Sequence, residues 1–187
     1  MTMGTRIRIL LLALLAFAPA AHSQTVSVST DLLGYADRLT LNGAASVALS
    51  RRWTANLELR YNPFSFKAEE GNVTQTKQRS AYLGGRFWPW HVYSGWWMGA
   101  GLRLQEYSRS PRHSPESTEG LRMGAGFAGG YSYMLTPWLN LELAAGLWAG
   151  WDRYRQYDCP RCGAVVEEGE RPFLLPYGTM LNLSVIF

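Results

Sequence analysis

Residues 53–63 read WTANLELRYNP. The odd positions carry Trp53, Ala55, Leu57, Leu59 and Tyr61, and the even ones Thr54, Asn56, Glu58, Arg60 and Asn62. Successive side chains of an extended chain point to opposite sides of the backbone. Two faces of opposite chemistry at period two therefore specify a strand.

The same alternation recurs outward from this segment in both directions. It predicts eight strands, at about 25–34, 40–50, 53–64, 79–88, 96–107, 120–134, 138–152 and 173–187. Their connectors alternate in length. SRR (50–52) and TP (136–137) are tight and WPWHVYSG (88–95) is moderate, whereas 65–77, 108–119 and 153–172 are long and polar. The first connector, GYADR (34–38), is short but falls at the long-loop end. Tight turns at one end and long loops at the other describe an all-β, eight-stranded antiparallel up-and-down barrel of the transmembrane kind.

Composition agrees with that architecture. Of 187 residues, 47% are apolar and only 17% charged, fewer than the roughly 25% of a soluble domain. Aromatics reach 13%, with 8 Trp and 10 Tyr. Residues 1–23 read as a removable secretory signal: Arg6 and Arg8, an apolar run from Ile9 to Ala18, and a small-residue ending at Ser23. The apolar run is too short for a spanning helix. Residues 24–187 then form one barrel domain of 187 − 23 = 164 residues, exported to the outer membrane. Without Arg6 and Arg8 the formal charge of +4 falls to +2, which is no nucleic-acid footprint.

A soluble barrel that binds an apolar ligand would also alternate, but with Leu57 and Leu141 facing inward. Three features favour the opposite orientation. The polar-set positions are often very small (Gly99, Gly101, Gly124, Gly126, Ala128, Gly130), leaving room for long side chains across a narrow lumen. The polar set balances in charge, with Asp31, Glu58, Glu142 and Asp152 against Arg60, Arg86, Arg103 and Arg122, as interior ion pairs require. Aromatics also cluster at strand ends: Trp53, Phe87 and Trp96 near the short turns, and Tyr61, Phe64, Trp151 and Tyr154 near the loops. The last strand places Tyr177, Thr179, Leu181, Leu183, Val185 and Phe187 on the outward face. Its terminal Phe187 resembles the signal that outer-membrane barrels present to their insertion machinery. The expected partners are that machinery and the lipids of the outer membrane, around a monomer.

Three stretches carry a family resemblance: STDLLGYADRLTLNGAASVALSRRWTANLELRY (29–61), GAGFAGGYSYMLTPWLNLELAAGLWAG (124–150) and YRQYDCPRCG (154–163). The sequence resembles an uncharacterised Bacteroidota family of small outer-membrane β-barrels, sometimes associated with fimbrial gene clusters. The resemblance implies a barrel and makes a surface-appendage component a candidate partner. It implies no catalytic residues.

Little else in the sequence reads as chemistry. Cys159 and Cys162 form a lone C-x-x-C without the further ligands a structural zinc site needs, so a loop disulfide is expected ahead of free thiols, metal or redox work. His113, Ser114 and Glu116 have the residue types of a lipid A-modifying enzyme, yet they sit in a proline-containing polar loop where such residues are common. No catalytic, cofactor-binding or metal site is assigned. The expected role is structural or interactive, through loops on a rigid scaffold whose interior is filled.

Overall fold

The computed structural model describes residues 25–36, 40–67, 73–110, 117–158, 164–177 and 180–187. In chain order these form β1 (Val26–Asp31), α1 (Leu32–Ala36), β2 (Leu41–Ala48), β3 (Trp53–Asn62), β4 (Ser65–Lys67), β5 (Val73–Phe87), β6 (Gly95–Ser110), β7 (Ser117–Thr136), β8 (Leu139–Tyr157), β9 (Val165–Pro176) and β10 (Met180–Ile186). All neighbours pair antiparallel. β10 bonds both β8 and β1 and so closes the sheet. β4 continues the hairpin of β3 with β5, and β9 and β10 are the two halves of one stave. The result is the expected closed barrel of eight staves. The leader, residues 1–23, lies outside the described residues.

The register fixes the barrel's shape. Val28 lies opposite Ala45, and the ladder continues through Leu57, Leu83, Leu102, Ala125 and Ala149 to Leu174. Val28's own partner on that last stave is Val185, a displacement of 185 − 174 = 11 residues. One of these is extra: β8 advances three residues from Leu147 to Ala144 while its partners advance four, from Pro176 to Met180. The shear is therefore ten. Ten rises of about 3.3 Å against eight spacings of about 4.8 Å tilt the strands by roughly 40°. At that tilt the backbone stands about 8 Å from the barrel axis, close enough for side chains to fill the middle.

The extra residue corrects one expectation. Phe173, Leu175 and Tyr177 face inward, and then Met180, Asn182, Ser184 and Ile186 do. The alternation changes phase between Tyr177 and Met180, as a bulge requires. Leu181, Leu183, Val185 and Phe187 keep the outward face, but Tyr177 is buried in the interior.

Two further expectations change. The chain leaves the strand conformation at Leu32, where α1 replaces the predicted end of the first strand. The long connectors are shorter than the polar sequence suggested, because the hairpins keep their ladders to Lys67–Val73, to Arg109–Thr118 and to Tyr157–Val165. In those extensions polar residues fall on both faces, so no alternation marks the strand. At the other end, Pro137 and Trp138 make the tight turn between β7 and β8. The 88–94 connector folds back across that mouth, with Tyr93 in the left-handed region (φ 64°).

Candidate functional site

The interior is polar and filled, and it is ordered in three tiers from the short-turn end upward. The lowest is an aromatic plug from the 88–94 connector. Trp88, 1% exposed, donates its indole N–H to Thr54 Oγ1 at 3.2 Å, and its ring lies 6.1 Å from Trp97. The Tyr93 carbonyl accepts from Ser132 Oγ (3.3 Å) and Asn140 Nδ2 (2.5 Å), and its hydroxyl donates to the Thr25 carbonyl at 3.3 Å. Burial raises the Tyr93 phenol above its ordinary pKa, which keeps that donor in place.

The middle tier holds two ion-pair groups. Arg86 reaches both oxygens of Glu142, at 3.0 and 3.1 Å, while Asn182 donates to Glu142 Oε1 at 3.0 Å. The Arg86 guanidinium also lies 4.0 Å from the centre of the Trp97 ring. Across the lumen, Arg60 bridges Asp31 (3.2 Å) and Glu58. Glu58 also accepts a hydrogen bond from the Tyr177 hydroxyl at 3.0 Å.

The upper tier centres on Asp152, which is 1% exposed. It takes Arg122 at 3.3 Å, Arg171 at 3.2 Å and the Tyr107 hydroxyl at 2.9 Å. Arg122 stacks 4.0 Å over Tyr107.

The structure thus places all eight charged residues singled out from the sequence on the inward face, and seven of them in ion pairs. Arg103 is the exception. It donates to Ser80 Oγ at 3.3 Å and lies over the rings of Tyr177 (4.6 Å) and Trp148 (5.2 Å). Sequence reasoning missed Arg171, which lies in a segment read as loop, and Tyr177, whose face is set by the bulge. It also missed the plug, although its aromatic density in WPWHVYSG was a usable signal.

Small residues make this filling possible. The Tyr82 ring lies against Gly101, where an added Cβ would sit 2.7 Å from Tyr82 Cε2. Likewise a Cβ on Gly130 would sit 2.9 Å from Trp97 Cζ2. One interior cavity, beside Ser46, Asn56, Glu58 and Glu142, measures about 20 Å³. That is little more than the room for a single water.

The exterior has the opposite chemistry. Leu57 (45% exposed), Leu83, Leu102, Phe127, Leu143 and Leu147 all point outward, and Leu141 lies half-buried on the same face as Leu143. The arrangement of an apolar-ligand barrel, with Leu57 and Leu141 inside, is therefore overturned. Aromatics ring the apolar wall: Trp53 with Phe87, 5.1 Å apart, and Trp96 with Tyr131, also 5.1 Å, near the short turns, and Tyr61 and Trp151 towards the loops.

Cys159, Cys162, His113, Ser114 and Glu116 lie outside the described residues. Among the described residues, no group of three His, Cys, Asp or Glu side chains could hold a metal ion.

Fold and interior together define a closed eight-stranded antiparallel barrel, apolar outside and packed with paired charges inside. The chain belongs to the family described as protein of unknown function (DUF3575), whose model matches residues 9–187. A search of curated proteins returns no match.

Proposed function

We propose that the protein is an outer-membrane barrel with a plugged polar interior and a structural or surface-interaction role. The observation that carries this reading is the inverted distribution of polarity. Leaving Leu57, Leu83, Leu102, Phe127, Leu143 and Leu147 in water forgoes about 1.5–3 kcal/mol for each, on the order of 10 kcal/mol in all. That is as large as the whole net stability of a typical domain. In hydrocarbon the same surface costs nothing, and a closed barrel satisfies its backbone hydrogen bonds without water.

Dimensions support the reading. Trp53 and Tyr61 are eight residues apart on β3, which at a tilt near 40° separates them by about 20 Å along the barrel axis, close to a transmembrane apolar band. Tyr and Trp at both rims suit the two membrane–water interfaces. A filled lumen leaves no solute path, so the role falls to the outer surface: membrane integrity, or contact through the hairpin tips. A surface appendage such as a fimbria is the partner that the family resemblance suggests. The leader at 1–23 would direct export, and the strand ending at Phe187 would engage the insertion machinery.

The test is membrane fractionation followed by gel electrophoresis of boiled and unboiled samples. The protein is expected in the outer-membrane fraction, with the unboiled form migrating apart from the boiled one. Recovery in the soluble fraction without detergent, with no shift, would refute the proposal.

A further inference from the structure

The closing stave is paired along both edges only in its lower half. β10 bonds β8 on one side and β1 on the other, whereas β9 bonds β8 alone. β1 stops at Asp31 and gives way to α1, so among the described residues nothing pairs with the second edge of β9. On the other side of β1, Asn42 of β2 extends the β1–β2 pairing up to Asp31. Its side-chain amide accepts from the Asp31 N–H at 2.6 Å and donates to the Asp31 carbonyl at 2.9 Å, standing in for a strand.

The phase of the free edge is fixed by one hydrogen bond. The Tyr177 N–H donates to the Gly146 carbonyl at 2.7 Å. Odd-numbered residues of β9 therefore exchange bonds with β8, and even-numbered residues turn their N–H and C=O groups to the open side. Over the unbroken register from Glu167 to Pro176 the even residues are Glu168, Glu170, Pro172, Leu174 and Pro176. Two of the lower three are prolines, which have no N–H to leave unpaired. This blunting is the usual treatment of an exposed edge. Pro172 pairs with Trp151 of the outer aromatic rim, so the blunted half is the part the proposed membrane would cover. The upper residues carry no proline or lysine, and the ladder shifts register between Gln156 and Tyr157, where Val166 is the extra residue on β9, so the regular free edge is that of Glu168 and Glu170.

We infer that the outer half of β9, from Glu167 to Glu170, accepts an extended basic segment of another polypeptide by β-strand addition. Backbone groups of Glu168 and Glu170 would supply the ladder. Glu167, Glu168 and Glu170 give the edge its charge preference. Glu168 and Glu170 face Arg155 and Arg153 across β8 in pairs that are more than half exposed, and such pairs are readily exchanged. A second copy of this chain fits poorly. Antiparallel self-pairing centred anywhere from 167 to 170 sets one of these glutamates against itself or against another. The inference rests on the surface-interaction reading for its biological setting, but the free edge stands without a membrane.

The experiment uses the full chain in detergent micelles and a fluorescent short peptide alternating Lys and Val, with its Glu–Val counterpart as control. Anisotropy should show the basic peptide binding roughly tenfold tighter than the acidic one, and Glu168→Pro, which deletes one of the two outward donors, weakening it by roughly tenfold. Glu168→Gln, which keeps the donor, should retain most of the binding. A Lys–Val peptide N-methylated on alternate residues should lose binding to the unaltered chain, which covers the case in which Glu168→Pro fails to fold. Absence of binding by the basic peptide, or equal binding by its N-methylated form, overturns the inference. Because the assay is indifferent to compartment, a soluble protein that bound the peptide would sink the membrane reading and leave this one intact.

Discussion

Reversing one interior charge should break the barrel without opening it. Arg86 holds Glu142 through both carboxylate oxygens, and the two side chains are only 17% and 5% exposed. In Arg86→Glu, Glu142 would face a second buried carboxylate, and the other cation of that tier, Arg60, is already held by Asp31 and Glu58. Breaking a buried pair costs about 3–5 kcal/mol, because a desolvated charge is left uncompensated. The lost stacking on Trp97 adds about 1 kcal/mol. Urea unfolding in detergent micelles, followed by tryptophan fluorescence, should show this loss as a lower midpoint at unchanged slope. Arg86→Met combined with Glu142→Gln should recover most of it, since no charge is left unpaired and the glutamine side-chain carbonyl can still accept from Asn182. Planar-bilayer recordings of each variant should stay silent. A well-folded Arg86→Glu barrel within about 1 kcal/mol of the parent, or one that conducts ions, would refute the account of the interior as a filled ion-pair core.

Two other substitutions test particular tiers by the same unfolding measurement. Tyr177→Phe removes the hydroxyl that donates to Glu58 but keeps the ring under Arg103, so it should cost about 1–3 kcal/mol, and Tyr177→Ala clearly more. Asn42→Ala removes the amide that bridges the Asp31 backbone and should also cost about 1–3 kcal/mol. Amide hydrogen exchange should locate that loss at the β1–β2 seam, with the protection of β6 and β7 unchanged.

The strands were legible where one face is apolar and the other is not. Trp53–Asn62 and the inward charges at Glu58, Arg60, Arg86 and Glu142 follow from parity alone, because side-chain direction in a strand is fixed by position. Legibility failed where that rule loses its input. Beyond Tyr107 and Tyr154 polar residues fall on both faces of the hairpins, so continuing strands read as loops, and Arg171 with them. Tyr177 was assigned to the wrong face because one extra residue reverses every parity on its far side. Arg103 was expected in an ion pair. Its neighbours Trp148 and Tyr177 belong to β8 and to the stave beyond it, which no local pattern connects to it. Nor could spacing show that β1 gives way to a helical turn and leaves β9 half-paired.

The measurement that tests the central claim most directly compares two tryptophans on one strand. Trp148 faces the interior of β8 at 3% exposure and Trp151 faces outward at 63%. Trp148→Phe and Trp151→Phe variants, reconstituted into bilayers with brominated acyl chains, would report by difference from the parent which of the two tryptophans meets lipid. The account predicts strong quenching of Trp151 and none of Trp148. Quenching of Trp148 with Trp151 spared, or of neither, would contradict it.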